Sequence, residues 1–280
     1  MATHNSGATI PTDFLATTPN ITIHPIDFAN SPLPEYAGLY ALVLDNVLTP
    51  AECRTLVSAA EASTPLGWER AMVNIGGGEQ ALFTEVRSCG RIILDSPDIV
   101  GRVWKRIEHL PEVQQILQLQ AVPKVFGDGP VKRGEVWHFT RPNERMRFLK
   151  YVGGEYFRPH YDGSYETTDR SERSYFTLHL YLNDSAAEGE AGGLVGGATT
   201  FHSMDDLRRM DVAPKCGRIL LFQHRGLLHS GDDVVEGVKY TMRTDLMYAL
   251  KSPESEERSN MPVLEEPKQA WDGVIDKGSK

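Results

Sequence analysis

The chain has 280 residues, 40% of them hydrophobic, and 38 acidic against 29 basic side chains give it a net charge of −9. That length allows one substantial core, while the acidic balance disfavours a general affinity for nucleic acid or anionic membrane, which needs clustered Lys and Arg. No apolar run approaches the roughly 20 residues that span a bilayer, and Cys53, Cys89 and Cys216 are too few and too scattered for a disulfide framework.

Residues 1–35, rich in Thr, Asn and Pro and without a periodic apolar pattern, read as a flexible or surface-draped leader. The first basic residue is Arg54, so the basic start of a secretory signal and the Arg content of a transit peptide are both missing. With the cysteine usage, this predicts a reducing, cytoplasmic setting, with the nucleus equally compatible, and no secretion. Residues 36–250 read as one catalytic domain, with helical support over 36–135 and a β-rich core over 136–250. In the support, Thr49-Pro-Ala-Glu52 is a capping box that opens a helix to about Ser63. Ser96-Pro-Asp repeats the device before an apolar stripe of Ile99, Val103, Ile107 and Leu110, and Val86 to Leu94 between them reads as a strand.

From Val136 onward short apolar strands alternate with Gly-rich loops. The pattern predicts an α+β, mainly β domain, a double-stranded β-helix (jelly roll, cupin-like) buttressed by the N-terminal helices. Residues 251–280, with Glu254, Glu256, Glu257, Glu265 and Glu266, read as an extended acidic tail.

Within the core, Arg147 to Gly163 runs as strand, Gly153-Gly154 turn, strand, and ends on His160-Tyr-Asp162. Residues i and i+2 of a strand point to one side, so the imidazole and the carboxylate can grip one metal. His229 follows the apolar strand Arg218 to His224, and Val238 to Tyr248 then alternates, setting Lys239, Thr241, Arg243 and Asp245 on one polar face. Two imidazoles and one carboxylate on one face of Fe(II) leave positions open for a substrate and O₂. A fixed cation nearby is what the far carboxylate of a keto diacid requires. Lys239 and Arg243 both stand where they could supply it, the guanidinium offering a bidentate fork that an ammonium lacks.

Four segments in this order resemble the prolyl 4-hydroxylase-like branch of the Fe(II)/2-oxoglutarate dioxygenases: Tyr151-x-Gly-Gly-x-Tyr-x-x-Pro-His160-x-Asp162, Tyr175-Phe-Thr-Leu-His-Leu-Tyr-Leu-Asn183, Gly196-Gly-Ala-Thr-Thr-Phe201, and His229 with Lys239 after nine intervening residues. The resemblance implies that His160, Asp162 and His229 ligate iron and that Lys239 binds the distal carboxylate of 2-oxoglutarate. It implies that Tyr151 and Tyr181 help to seat that co-substrate, with Thr241 and Arg243 on the same face. His179, Thr199, Phe222 and His224 are expected as substrate-pocket walls. The implied cofactors are Fe(II), 2-oxoglutarate and O₂, with ascorbate as a supporting reductant, and the implied products are succinate, CO₂ and a hydroxylated substrate. Asp162 favours hydroxylation over halogenation, because related halogenases lack this carboxylate and bind chloride in its place. A cytoplasmic setting argues against collagen as the substrate, which leaves a prolyl-like protein residue or a small metabolite, including a natural-product intermediate. No nucleic-acid or membrane partner is expected, and the sequence is silent on oligomeric state. The rival readings are a catalytically silent cupin-like binding or scaffold protein, and a metal hydrolase, which has no need of Lys239.

Overall fold

A computed structural model describes residues 10–17, 19–76, 79–186 and 192–250. The strands of the two larger sheets are β1 Thr22–Pro25, β2 Ala41–Asp45, β3 Glu69–Arg70, β4 Arg87–Ser88, β5 Gly90–Asp95, β6 Gln118–Gln120, β7 Val136–Pro142, β8 Arg145–Val152, β9 Tyr156–His160, β10 Glu172–Tyr181, β11 Thr199–His202, β12 Arg209–Val212, β13 Ile219–Gln223, β14 His229–Gly231 and β15 Val238–Leu250. The two longest helices are α1 Pro50–Ala62 and α2 Pro97–Lys105. Ten strands form the major sheet in the order β1-β2-β13-β10-β15-β8-β5-β3, with β7 paired to β15 and β6 to β7; five form the minor sheet in the order β12-β11-β14-β9-β4. All pairings are antiparallel. The architecture is the mainly β jelly roll that the strand pattern predicts.

Period-two alternation divides the major sheet into two buried faces. Phe148, Leu178, Leu180, Leu221, Met242 and Leu246 point outward into one cluster with Leu56 and Ala60 of α1 and Val100, Val103 and Trp104 of α2. Their neighbours in sequence point inward: Tyr181, Leu220 and Phe222 join Phe201 and Val212 of the minor sheet in a second cluster. Truncating such a buried side chain to Ala costs about 2–5 kcal/mol, so both faces are strongly specified and a one-residue slip of β15 is forbidden.

The helices start where the caps predict. Thr49 Oγ1 accepts from Glu52 N while the Glu52 carboxylate accepts from Thr49 N at 2.8 Å, and Ser96 accepts from Ile99 N at 3.3 Å. The same Glu52 carboxylate takes both ends of the Arg106 guanidinium, at 2.6 and 2.9 Å, which ties α1 to the turn after α2. The helix expected over Ile99 to His109 ends at Lys105 and the chain continues in turns, with Ile107 and Leu110 still buried.

Two expectations need correction. The leader is structured from Thr22 on: β1 pairs with β2 along Thr22↔Asp45, and Phe28 and Leu33 are buried beside Tyr36 and Phe201. Short apolar anchors without periodicity leave no signature in the sequence. The strand expected over Val86 to Leu94 is two strands, β4 in the minor sheet and β5 in the major sheet, with buried Cys89 at the crossing. The turn at Gly153-Gly154 also passes the chain from the major to the minor sheet; Gly154 has φ +83°, the left-handed region that glycine enters without strain. The acidic tail, 251–280, lies outside the described residues. Among the described residues no helix is long and apolar enough to cross a membrane.

Candidate active site

β9 and β14 are neighbours in the minor sheet with His160 directly opposite His229, so both imidazoles leave the same place on the sheet. Asp162 stands two residues past the end of β9 and is buried under the mouth of the barrel. One ligand atom from each of the three lies within 4.8 Å of the others. The Nε2 atoms of His160 and His229 are 3.6 and 3.7 Å from Asp162 Oδ1. Each ring is turned by its other nitrogen: His160 Nδ1 meets the Arg158 carbonyl at 2.8 Å, and His229 Nδ1 meets the Leu227 carbonyl at 3.0 Å. A carbonyl can only accept, so both Nδ1 atoms carry the proton and both Nε2 atoms are turned toward Asp162. Phe157 stacks on His160 with ring centroids 3.6 Å apart, and Phe222 meets His229 edge-on at 4.8 Å.

Burial pushes His229 down to about 3, which keeps the imidazole neutral and able to ligate. Burial works against the Asp162 carboxylate, but the Arg243 guanidinium outweighs it and holds its pKa well below the usual range. Thr177 Oγ1 donates to Asp162 Oδ2 at 2.6 Å, leaving Oδ1 to face the imidazoles. Two imidazole nitrogens and one carboxylate oxygen converging on a point, each with an outer partner, fit an Fe(II) ion with open positions.

Behind the triad, β15 contributes its inward face. Lys239 stands opposite Tyr151 of β8, Thr241 opposite Tyr181 of β10, and Arg243 opposite His179 of β10. Lys239 is 1% exposed, and no ion pair to its ammonium exists among the described residues; it lies 5.1 Å from the Tyr151 ring centroid and 5.9 Å from that of Tyr181. Burial lowers its pKa to about 8, against the pull of Asp232 and Cys89. Gly197, with φ +71°, makes room beside it, since a Cβ there would come 3.1 Å from Lys239 Cδ. Arg243 is engaged elsewhere: Nη1 is 2.8 Å from Asp162 Oδ1, and Nη2 is 3.3 Å from Thr177 Oγ1.

His160, Asp162, His229, Lys239, Arg243 and Tyr151 line one cavity, with His179, Thr199 and Phe222 as further walls. Two residues expected at the co-substrate do not line it. The Tyr181 hydroxyl donates to Thr199 Oγ1 at 2.7 Å within the core, and the Thr241 hydroxyl is buried without a hydrogen-bond partner. His224 belongs to a separate open cleft on the far side of Asp162, bordered by Val125, Tyr161, Ser164, Arg225 and Gly226. Its ring is buried, with neither nitrogen hydrogen-bonded.

Sequence reasoning missed Arg87, Phe157 and Thr177. Thr177 was within reach, because it shares a strand face with His179 and Tyr181 at spacing i, i+2, i+4. Arg87 stood inside an apolar strand, a signal in itself, but its direction depends on the crossing at Cys89. Phe157 carried no signal.

Residues 146–244 match the model of the 2OG-Fe(II) oxygenase superfamily. That stretch holds the triad, Lys239 and Arg243, and it is similar to oxygenases that work with Fe(II), 2-oxoglutarate and O₂. Similar solved structures include a viral collagen prolyl hydroxylase from Paramecium bursaria Chlorella virus 1 in complex with 2-oxoglutarate, at 20% identity over 76% of this chain and 97% of that one, TM-score 0.46. A prolyl-4-hydroxylase from Pseudomonas putida is 13% identical over 76% and 95%, TM-score 0.47. A prolyl hydroxylase from Trichoplax adhaerens, in complex with a peptide fragment of hypoxia inducible factor, is 15% identical over 84% and 93%, TM-score 0.47. No curated protein matches the sequence.

Proposed function

We propose that His160, Asp162 and His229 hold Fe(II), that Lys239 takes the distal carboxylate of 2-oxoglutarate, and that the enzyme hydroxylates a C–H bond of a prolyl-like protein residue or a small metabolite. One observation carries the reading: a two-imidazole, one-carboxylate set and a buried ammonium with no ion pair among the described residues share one cavity. Iron, when bound, supplies the O₂ chemistry, in which 2-oxoglutarate is decarboxylated to succinate and CO₂ and one oxygen atom enters the substrate.

The chain's own residues do the rest. The Arg158 and Leu227 carbonyls aim the imidazoles, and Thr177 fixes the carboxylate. The Lys239 ammonium gives the co-substrate a single orientation, keto acid end toward the triad. Arg243 is already paired with Asp162, which leaves Lys239 as the better anchor. Phe157 and Phe222 flank the two imidazoles and exclude water from that side. The substrate approaches from the cleft on the other side of Asp162, whose open form suits a residue presented on a peptide as well as a free metabolite.

The test is Fe(II)-dependent conversion of 2-oxoglutarate to succinate, with a mass gain of one oxygen in a screened substrate. Wild type should release succinate and His229→Ala should not. Equal release from both would overturn the assignment and favour a barrel that only binds.

A further inference from the structure

The cavity behind the triad holds more positive charge than the reading above uses. Arg87 is 9% exposed, its guanidinium lies 4.6 Å from the centroid of the Phe157 ring, and it lines the same cavity as Lys239. Its polar contacts are weak: Nε donates to Cys89 Sγ at 3.4 Å, and Tyr151, a neutral phenol raised by burial, stands beside it. Among the described residues Arg87, like Lys239, forms no ion pair. The other buried arginine, Arg106, has a bidentate carboxylate. Burial of an uncompensated ion is strongly unfavourable, and neither a cation–π contact nor a thiol matches a carboxylate partner. Two such cations lining one cavity point to an anion that comes from outside the chain.

We infer that Arg87 is a specificity-determining residue for the co-substrate: its guanidinium and the Lys239 ammonium grip the distal carboxylate of 2-oxoglutarate together. The inference rests on the proposed reading of this pocket. It adds a residue from β4, outside the segment matched by the superfamily model. The two groups divide the work. A guanidinium presents a planar fork that fixes the carboxylate plane, whereas an ammonium is a point charge that fixes its distance. Pairing of Phe157 with Arg87 across β9 and β4 sets the fork in place. The prediction is strong selection for a five-carbon keto acid that ends in a carboxylate over one that ends in a methyl group.

The experiment measures binding, without O₂, to the full-length protein loaded with Mn(II), titrated with 2-oxoglutarate and with 2-oxopentanoate, the keto acid of equal chain length that lacks the distal carboxylate. Loss of a buried charge partner corresponds to at least tenfold in affinity. Arg87→Gln should therefore weaken 2-oxoglutarate about thirtyfold and leave 2-oxopentanoate within about threefold of wild type. Weakening of both acids by the same factor would make Arg87 a structural residue, and unchanged 2-oxoglutarate affinity would remove it from the site; either result overturns the inference. Lys239→Met, run in parallel, separates the two levels. If it discriminates between the acids and Arg87→Gln does not, the pocket reading stands and the second cation falls; if neither discriminates, the pocket reading itself fails. Should Arg87→Gln not fold, Arg87→Lys keeps a cation on a shorter, fork-less stem. It should cost 2-oxoglutarate about tenfold and 2-oxopentanoate nothing, and an equal cost to both would again count against the inference.

Discussion

The two ends of the cavity handle charge in opposite ways. At the triad, the Asp162 carboxylate has an ion-pair partner in Arg243 and a hydrogen bond from Thr177, so the site is electrically complete before any ligand arrives. At the other end Lys239 and Arg87 are buried without an ion pair among the described residues. The contrast separates a part whose geometry the chain sets by itself from a part whose charge only a ligand completes. Residues at the first end should therefore govern metal, and residues at the second should govern the co-substrate.

The largest effect is expected at the triad. His229→Ala removes one of three ligands, and Fe(II) content after dialysis and succinate release should both drop to background, while the circular dichroism of the sheet is kept. A variant that keeps wild-type iron would break the division at its root. Lys239→Met comes next. It should raise the 2-oxoglutarate requirement more than tenfold, from the loss of a buried charge partner, with iron content unchanged. Loss of iron together with co-substrate would show that the two ends are not separable.

Thr177→Val should act only at the triad end. Removing the 2.6 Å hydrogen bond to Asp162 Oδ2 frees the carboxylate to rotate, and an outer-shell loss of this kind costs about ten- to a hundredfold in metal affinity. A competition titration against a chelator would read it, and an unchanged iron affinity would show that Arg243 alone orients Asp162.

The smallest effect is a pH profile. Burial lowers Lys239 to about 8, and the groups that face it are Arg87, Cys89, Tyr151, His179, Tyr181 and Asp232. Only the ammonium attracts a carboxylate, so 2-oxoglutarate affinity should be flat below pH about 8 and should fall by up to about tenfold per unit above it. Lys239→Arg should flatten the profile. Stability of the unliganded protein should run the other way. A lysine whose folded pKa lies below its ordinary 10.5 binds fewer protons folded than unfolded between those values, so its contribution rises with pH across that window. Thermal melts at pH 7 and 9.5, compared with Lys239→Met, would isolate this contribution.

Where the site lay on one regular strand, the sequence already displayed it. The alternation of Lys239, Thr241, Arg243 and Asp245 with Tyr240, Met242 and Leu246 placed the polar face of β15 inside the barrel, because a strand buried on both sides tolerates polar groups only where something meets them. His160 and Asp162 were legible for a related reason: a residue pair at spacing two leaves a strand on one side. What depended on which sheet a strand joins was not legible. The Cys89 crossing puts Arg87 in the minor sheet, in the lining of the cavity, and Tyr181 is diverted from the cavity by a hydroxyl on β11, also a strand of the minor sheet. The anchors Phe28 and Leu33 carried no period from which to read them, yet they close the end of the barrel next to Phe201.

The central claim is that one cavity joins a metal triad to a cation that waits for a carboxylate. The most direct measurement is an anaerobic titration of the Fe(II)-loaded protein with 2-oxoglutarate, followed through the visible charge-transfer absorption that a keto acid gives on chelating Fe(II). A saturable band should form in wild type and be lost in His229→Ala, and in Lys239→Met its midpoint should move more than tenfold higher. No band in the wild type, or a midpoint indifferent to Lys239, would contradict it.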